Sequence, residues 1–265
     1  MPSSEPLILG HRGASAVAPE NTLAAFAQAN DDGSDGIEFD VRLSSDGVAV
    51  VIHDDTLRRT ALVPGSVSAM TAAELQKVDV GSWFTEKFGG RSFSTETIPT
   101  LADVFDLFAV NNGVLYVEMK CDDVQAAALA TAVVRQISAH KMRERVVVES
   151  FALPAIEAVK RIDPHVRTAA LFEPKISKPV TTWRTKVILD RARQHGADEI
   201  ALHHSLARTK LIRAAKDEDF EVVVWTVDDV AWIDRARAHL IKALISNNPR
   251  LMVEARDRSL QIRPR

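Results

Sequence analysis

"GIEFDVRLSSDGVAVVIH", residues 36–53, holds two apolar, β-branched runs split by little more than "SSDG". A parallel neighbour needs a crossover of about a dozen residues or more, so the second run, "VAVVIH" (48–53), must return antiparallel, as a hairpin. The hairpin removes one run from the count of parallel strands. With the turn at residues 44–47, Leu43 is expected opposite Val48. The same register puts Glu38 opposite His53, so the hairpin returns His53 to the strand end that carries Glu38 and Asp40.

With 48–53 set aside, eight runs of the same character remain: 7–10, 36–41, 114–119, 146–150, 168–172, 199–202, 221–226 and 243–246. Continuous apolar runs of this length suit strands buried on both faces, as in parallel sheets. Helical patterns lie between them. "TLAAFAQAND" sets Leu23, Phe26 and Ala27 on one face, and Thr100 is placed to cap a helix with Leu101, Val104, Phe105 and Phe108 inward. Regular alternation implies right-handed parallel crossovers. Eight units in about 250 residues is the dimension of an α/β chain folded as a (β/α)8 TIM barrel. An open doubly wound sheet is the other arrangement, but the dinucleotide-type glycine fingerprint is missing. Residues 1–265 therefore read as a single domain, with 54–98 as a small inserted subdomain capping the barrel mouth. Its stretch "TAAELQKVDVGSWFTEKFGG" (71–90) predicts a short helix whose aromatics pack on the barrel.

The 265 residues are 46% hydrophobic and 26% charged, with a net charge of -3, which gives no reason to expect nucleic-acid binding. An anionic substrate would need local positive charge. The single Cys121 excludes an internal disulfide and suits a reducing compartment. No basic region precedes "LILG", and no run approaches the ~18 apolar residues of a membrane span, so a cytoplasmic protein with no stable membrane association is expected. Composition leaves a homo-oligomer open.

The C-terminal strand ends of such a barrel carry its chemistry. His11 and Arg12 follow the first strand, Glu38 and Asp40 end the second, Glu118 and Lys120 end the third, and Trp225 ends the seventh. Glu38 and Asp40 are two apart on a strand and point the same way. Buried unpaired carboxylates are costly. They are either ion-paired with Arg42 or Lys120, or they hold a metal with Glu118 as third ligand. Hard oxygen donors without a thiolate favour one divalent cation, Mg²⁺ or Ca²⁺, over Zn²⁺. His11 and His53 are the natural proton carriers near neutral pH, each beside a charge, Arg12 and Asp54. Arg12 offers a planar fork and Lys120 a point charge for phosphate oxygens; solvated surface charge is the plainer reading of both. The set asks for a phosphate diester. His203 and His204 also reach the mouth: one of them touching substrate is one reading, and a loop pair making ordinary hydrogen bonds is the plainer one. Cys121, Trp183 and Trp232 read as packing residues, and 173–183 as a Pro-containing loop.

"HRG" (11–13), "PENT" (19–22), "EFDV" (38–41), "DG…VVIHD" (46–54), "IPTL" (98–101), "VEMK" (117–120), "SF" (150–151) and "WTVDD" (225–229), in that order, resemble the glycerophosphodiester phosphodiesterase family. The resemblance implies a TIM barrel with a small insertion that hydrolyses glycerophosphodiesters to sn-glycerol 3-phosphate and an alcohol. It implies His11 and His53 as the catalytic pair and Glu38, Asp40 and Glu118 as metal ligands. It also implies Arg12 and Lys120 on the phosphate and Trp225 beside the glycerol. The glycerol hydroxyl next to the phosphate would be the first nucleophile. Glu20 and Asn21 belong to the motif as supporting residues, Glu20 behind the metal or a histidine, Asn21 or Thr22 as a helix cap. Where family members often carry Thr-Asp after the last strand, this chain has Ser246-Asn247, with Asn247 expected to cap the final helix. Phospholipase D/C-like or lysophospholipase D action on lipid phosphodiesters is the alternative activity. A barrel that binds phosphodiesters without turnover is the non-enzymatic one.

Overall fold

The computed structural model describes residues 5–174 and 185–261. Strand β1 (Leu7–His11) leads through helix α1 (Leu23–Asp31) to β2 (Gly36–Leu43) and the return strand β3 (Ala49–Val51). Three short helices follow, α2 (Ala72–Leu75), α3 (Ser82–Phe88) and α4 (Leu101–Leu107). Then come β4 (Val114–Met119), α5 (Ala126–Ala139), β5 (Val146–Ser150), α6 (Leu153–Ile162), β6 (Arg167–Phe172) and α7 (Thr185–Gln194). The chain closes with β7 (Glu199–His203), α8 (Thr209–Asp217), β8 (Glu221–Trp225), α9 (Ala231–His239), β9 (Ala243–Ser246) and α10 (Pro249–Gln261).

The strands lie in the order β1-β9-β8-β7-β6-β5-β4-β2, and β1 also pairs with β2, which closes the sheet. Every pair around that ring is parallel, so the architecture is a (β/α)8 barrel. Strand β3 stands outside it, antiparallel to β2. Its place follows from strand lengths. Pairing of β1 with β2 stops at His11↔Glu38, so the overhanging end of β2 has a free edge, and β3 takes it at Val41–Leu43.

The hairpin register differs from expectation by one residue. Leu43 faces Ala49 and Val41 faces Val51, and the Ile52 amide donates to the Asp40 carbonyl. The loop is shorter by one residue at its start, because Ser44 already pairs with Val48 through backbone and side chain. A three-residue loop with glycine in the left-handed region remains, and Gly47 has φ +77°. A one-residue slip moves the strand partner of His53 from Glu38 toward Phe39.

Side-chain alternation splits the core in two. Leu9, Tyr116, Val147, Ala169, Ala201, Val223 and Ala243 pack inside the barrel, while intervening residues such as Ile8, Ile37, Val148 and Leu202 pack outward against helices. Each fully buried side chain of this kind contributes roughly 1.5–3 kcal/mol. At the N-terminal end of β7, buried Glu199 accepts from the Tyr116 hydroxyl (2.7 Å) and pairs with Arg167 (2.9 Å) and Lys242 (2.5 Å). In residues 54–98, Leu57, Val67, Leu75 and Val80 cluster with Val50 of β3, while Phe84 and Phe93 pack on Ala18 and Ala25. Trp232 packs at the edge of the outer core with Arg235 over its ring. Trp183 and most of the 173–183 loop lie outside the described residues.

Candidate active site

The turn after β1 builds one wall of the barrel mouth. Arg12 and Gly13 both take positive φ, 55° and 85°. A Cβ on Gly13 would lie 2.6 Å from the Ala25 backbone, so only glycine lets the turn rest on α1. The Arg12 amide donates to the Glu38 carbonyl (2.7 Å), locking the turn to β2. The guanidinium then lies 3.1 Å from Asp40 Oδ2 and 2.8 Å from Glu20 Oε1.

Glu38 and Asp40 leave β2 on its inner face, and Glu118 leaves neighbouring β4. All three are buried, and one oxygen from each lies within 4.8 Å of the others. Lys120 Nζ sits 2.6 Å from Glu118 and 3.2 Å from Asp40. Arg42 is not part of this cluster; it donates to the carbonyls of His53 (2.7 Å) and Lys120 (3.4 Å). Two cations therefore face three carboxylates. Burial and the adjoining Asp40 and Glu118 charges push Glu38 well above the usual carboxylate range, and burial lifts Glu118 to about 7 against the pull of Lys120. Asp40 is held low despite its burial, by Arg12 and Lys120. An all-oxygen donor set with surplus negative charge fits a hard divalent cation. Asn21, at φ 58°, braces it: its Nδ2 donates to Asp40 Oδ2 (2.8 Å) and its Oδ1 accepts from the Asp40 amide (3.2 Å). The cap of α1 is Thr22, not Asn21.

The two imidazoles flank this cluster. His11 Nε2 is 3.8 Å from Glu38 Oε2, and its Nδ1 is 2.7 Å from Asn247 Oδ1. Burial and Arg12 lower His11 to about 4, so the ring is neutral at pH 7. His53 Nδ1 bonds Asp54 Oδ1 at 2.6 Å, and burial lowers its pKa as well. Glu20 contacts neither ring; it accepts from Arg12 and from Arg59 of the segment after β3.

His11, Arg12, Glu38, His53, Glu118, Lys120 and Trp225 line one cavity, with Asp40 beneath and Glu20 and Asn21 behind Arg12 and Asp40. Trp225 packs edge-on against Phe151 (5.6 Å), and its buried Nε1 has no hydrogen-bond partner among the described residues. His203 stacks on His204 at 4.1 Å, and their Nδ1 atoms bond Ser205 and Thr226; neither lines this cavity.

Residue-by-residue reading missed four contributors. Glu149, whose buried Oε2 has no partner among the described residues, and Phe151 line the cavity from β5 and the residue after it. Their signal was parity: they alternate inward with Val147, as Glu118 does with Tyr116. Asn247 has the same parity beyond Ile245. It does not cap the last helix; Asn248 Oδ1 accepts from the Leu251 amide at 3.2 Å, and Asn247 turns to His11 instead. Arg59 carried no signal, since a lone arginine in an insertion has no register to fix its direction.

No helix of the described residues is long and apolar enough to cross a membrane. A model of the glycerophosphoryl diester phosphodiesterase family matches residues 11–251. The glycerophosphodiester phosphodiesterase of Caldanaerobacter subterraneus subsp. tengcongensis is 31% identical over 247 residues, 93% of this chain and 96% of that protein. Among solved structures, an Oleispira antarctica phosphodiesterase in complex with the product sn-glycerol-3-phosphate shares 26% identity at a TM-score of 0.83, covering 96% of this chain and 97% of that one. A glycerophosphodiester phosphodiesterase from Agrobacterium tumefaciens shares 27% at a TM-score of 0.76, covering 94% and 99%. Sequence match and barrel agree over nearly the whole length, and the chain belongs to the glycerophosphoryl diester phosphodiesterase family.

Proposed function

We propose that the barrel mouth hydrolyses glycerophosphodiesters to sn-glycerol 3-phosphate and an alcohol, with His11 and His53 as proton carriers beside one divalent cation held by Glu38, Asp40 and Glu118. The observation that carries this reading is the clustering of those three carboxylates, with Glu38 and Glu118 on a cavity that both imidazoles also line. The product bound to the Oleispira relative supports the substrate class.

A bound Mg²⁺ or Ca²⁺ would draw charge from the phosphoryl oxygens. Arg12 and Lys120 add positive charge where negative charge develops, in a site walled by Phe151 and Trp225. His11, neutral with Nδ1 engaged by Asn247, keeps Nε2 free to take the proton of the attacking oxygen. His53 can return a proton to the leaving alkoxide, its imidazolium form steadied by Asp54 at 2.6 Å. Trp225 Nε1, which has no partner among the described residues, is placed to donate to a glycerol hydroxyl. We place the reaction in the cytoplasm, which accords with one free thiol and no disulfide.

A second reading, lysophospholipase D action, is favoured by one observation. Exposed Leu62 and Phe88 of the insertion line, with Trp83, a cleft that also reaches Glu20 and Asn247.

The test is release of glycerol 3-phosphate from glycerophosphoethanolamine and glycerophosphocholine with Mg²⁺ or Ca²⁺, in parallel with a lysophospholipid. Chelation should abolish turnover, and His11→Ala and His53→Ala should each lower kcat by ~10²–10⁴. Full activity after either change removes that residue from the mechanism. Faster turnover of the lysophospholipid selects the second reading.

A further inference from the structure

Behind His11 runs a chain of hydrogen bonds that ends on a carboxylate outside the cavity. Asp228, just after β8, accepts through Oδ2 from Asn247 Nδ2 (2.8 Å). Its Oδ1 accepts from the Asn247 backbone amide (2.8 Å) and from the Ser246 hydroxyl (2.7 Å). Asn247 Oδ1 in turn accepts from the Ser15 hydroxyl (3.1 Å) and faces His11 Nδ1 (2.7 Å).

The direction of this chain is forced at one end. An amide has a donor end and an acceptor end of nearly the same shape, and an ionised carboxylate accepts only. Asn247 must therefore turn its NH₂ to Asp228 and its carbonyl to His11. A carbonyl accepts only, so the hydrogen of the neutral imidazole must sit on Nδ1, and Nε2 keeps its lone pair on the cavity side. A carboxylate at position 247 would need no such help, because both its oxygens accept. With a carboxamide there, something must choose which end faces the ring.

We propose that Asp228 is a positioning residue: through the Asn247 amide it fixes the Nδ1–H tautomer of His11 without touching the ring or the substrate. The inference rests on the reading of His11 as a proton carrier. It explains why Ser246-Asn247 can stand where the family often has Thr-Asp: the negative charge is kept, one residue further from the ring. In Asp228→Asn, an NH₂ would face the Asn247 NH₂. The amide at 247 relieves the clash by turning over, which presents its NH₂ to His11 and draws the hydrogen to Nε2. A base in the wrong tautomer loses orders of magnitude in rate. Exchanging the two side chains, Asp228→Asn with Asn247→Asp, restores an acceptor to the ring.

The experiment reads the tautomer and the rate separately, on the full chain with Mg²⁺ present. Nitrogen chemical shifts of ¹⁵N-histidine-labelled protein, assigned with His11→Ala, should show Nδ1–H in the native protein, Nε2–H in Asp228→Asn, and Nδ1–H again in the exchanged pair. In step with this, kcat should fall at least tenfold in Asp228→Asn and return to within about threefold of native in the pair, with KM moving less than about threefold throughout. An unchanged tautomer or rate in Asp228→Asn, or a folded exchanged pair that recovers neither, overturns the proposal. Should Asp228→Asn not fold, Asp228→Ala is read instead: mixed tautomers are expected, and undiluted Nδ1–H overturns it. Unimpaired turnover by His11→Ala would sink the acid–base reading and void the rate arm; the tautomer shifts, which do not depend on turnover, would then decide by themselves whether Asp228 positions the ring.

Discussion

Arg59 grips Glu20 with both arms of its guanidinium, Nη1 2.7 Å from Oε2 and Nη2 2.8 Å from Oε1. The same guanidinium reaches Asp54 at 2.8 and 2.9 Å. Glu20 holds Arg12 and Asp54 holds His53, so the Arg59 side chain ties together the two carboxylates that brace the two walls of the site. Arg59→Ala is expected to lower kcat/KM by roughly tenfold or more, since small misplacements of positioned groups are costly. Arg59→Lys should recover little of it, because an ammonium cannot make paired contacts with two carboxylates. Steady-state kinetics of the two variants, with thermal unfolding to confirm the fold, checks this. Native kinetics in Arg59→Ala would show that the clamp is ornamental to catalysis.

Lys120 competes for the pocket assigned to the cation. Its ammonium lies against Glu118 and Asp40 at 2.6 and 3.2 Å, within reach of strong Coulomb interaction in a buried setting. Removing it in Lys120→Met should tighten Mg²⁺ or Ca²⁺ binding, by about tenfold, while kcat falls with loss of the proposed phosphate contact. Calorimetric titration of the cation without substrate separates the two effects. Weaker cation binding in the variant would contradict the competition.

Cys121 should be nearly inert in the folded protein. Burial, with the Asp122 charge beside it, raises the thiol to about 11. The thiolate is the reactive form, so at pH 8 about one molecule in a thousand is reactive, against about a quarter for a thiol of ordinary pKa. The sign is clear: alkylation should speed up continuously as pH rises from 8 to 10 without levelling, whereas the unfolded chain should level off near pH 9–10. Iodoacetamide labelling followed by mass measurement reads both curves. A native plateau below pH 9 would refute the assignment.

Glu199 anchors the far end of the barrel, fully buried between the Tyr116 hydroxyl and the partly exposed cations of Arg167 and Lys242. The cost of breaking this group should depend on what is stranded. Glu199→Leu leaves the Tyr116 hydroxyl unpaired while both cations reach water, at about 1–3 kcal/mol. Changing Arg167 and Lys242 together to Met strands a buried carboxylate, at about 3–5 kcal/mol. Denaturant unfolding of the two variants measures the difference, and the reverse order would refute the account.

Much of this site was written in local sequence. His11, Glu38, Asp40, Glu118 and Trp225 each end an apolar run, and a period of two fixes which face they share. The strand spans 114–119, 146–150 and 243–246 match the structure end to end, because continuous β-branched runs between breakers leave little choice. Register was legible only to within one residue, since Ser44 can end either the strand or the loop, and side-chain hydrogen bonds to Val48 settled it.

The sequence by itself determined the closed barrel and the acidic, histidine-bearing face at its mouth, because hydrophobic period and strand ends are local properties of the chain. Tertiary structure alone decided who stands behind each working group: Arg59 between Glu20 and Asp54, and Asn247 between Asp228 and His11. Those contacts join residues up to 236 positions apart, and no periodicity along the chain encodes the distance between side chains that meet only when the barrel closes.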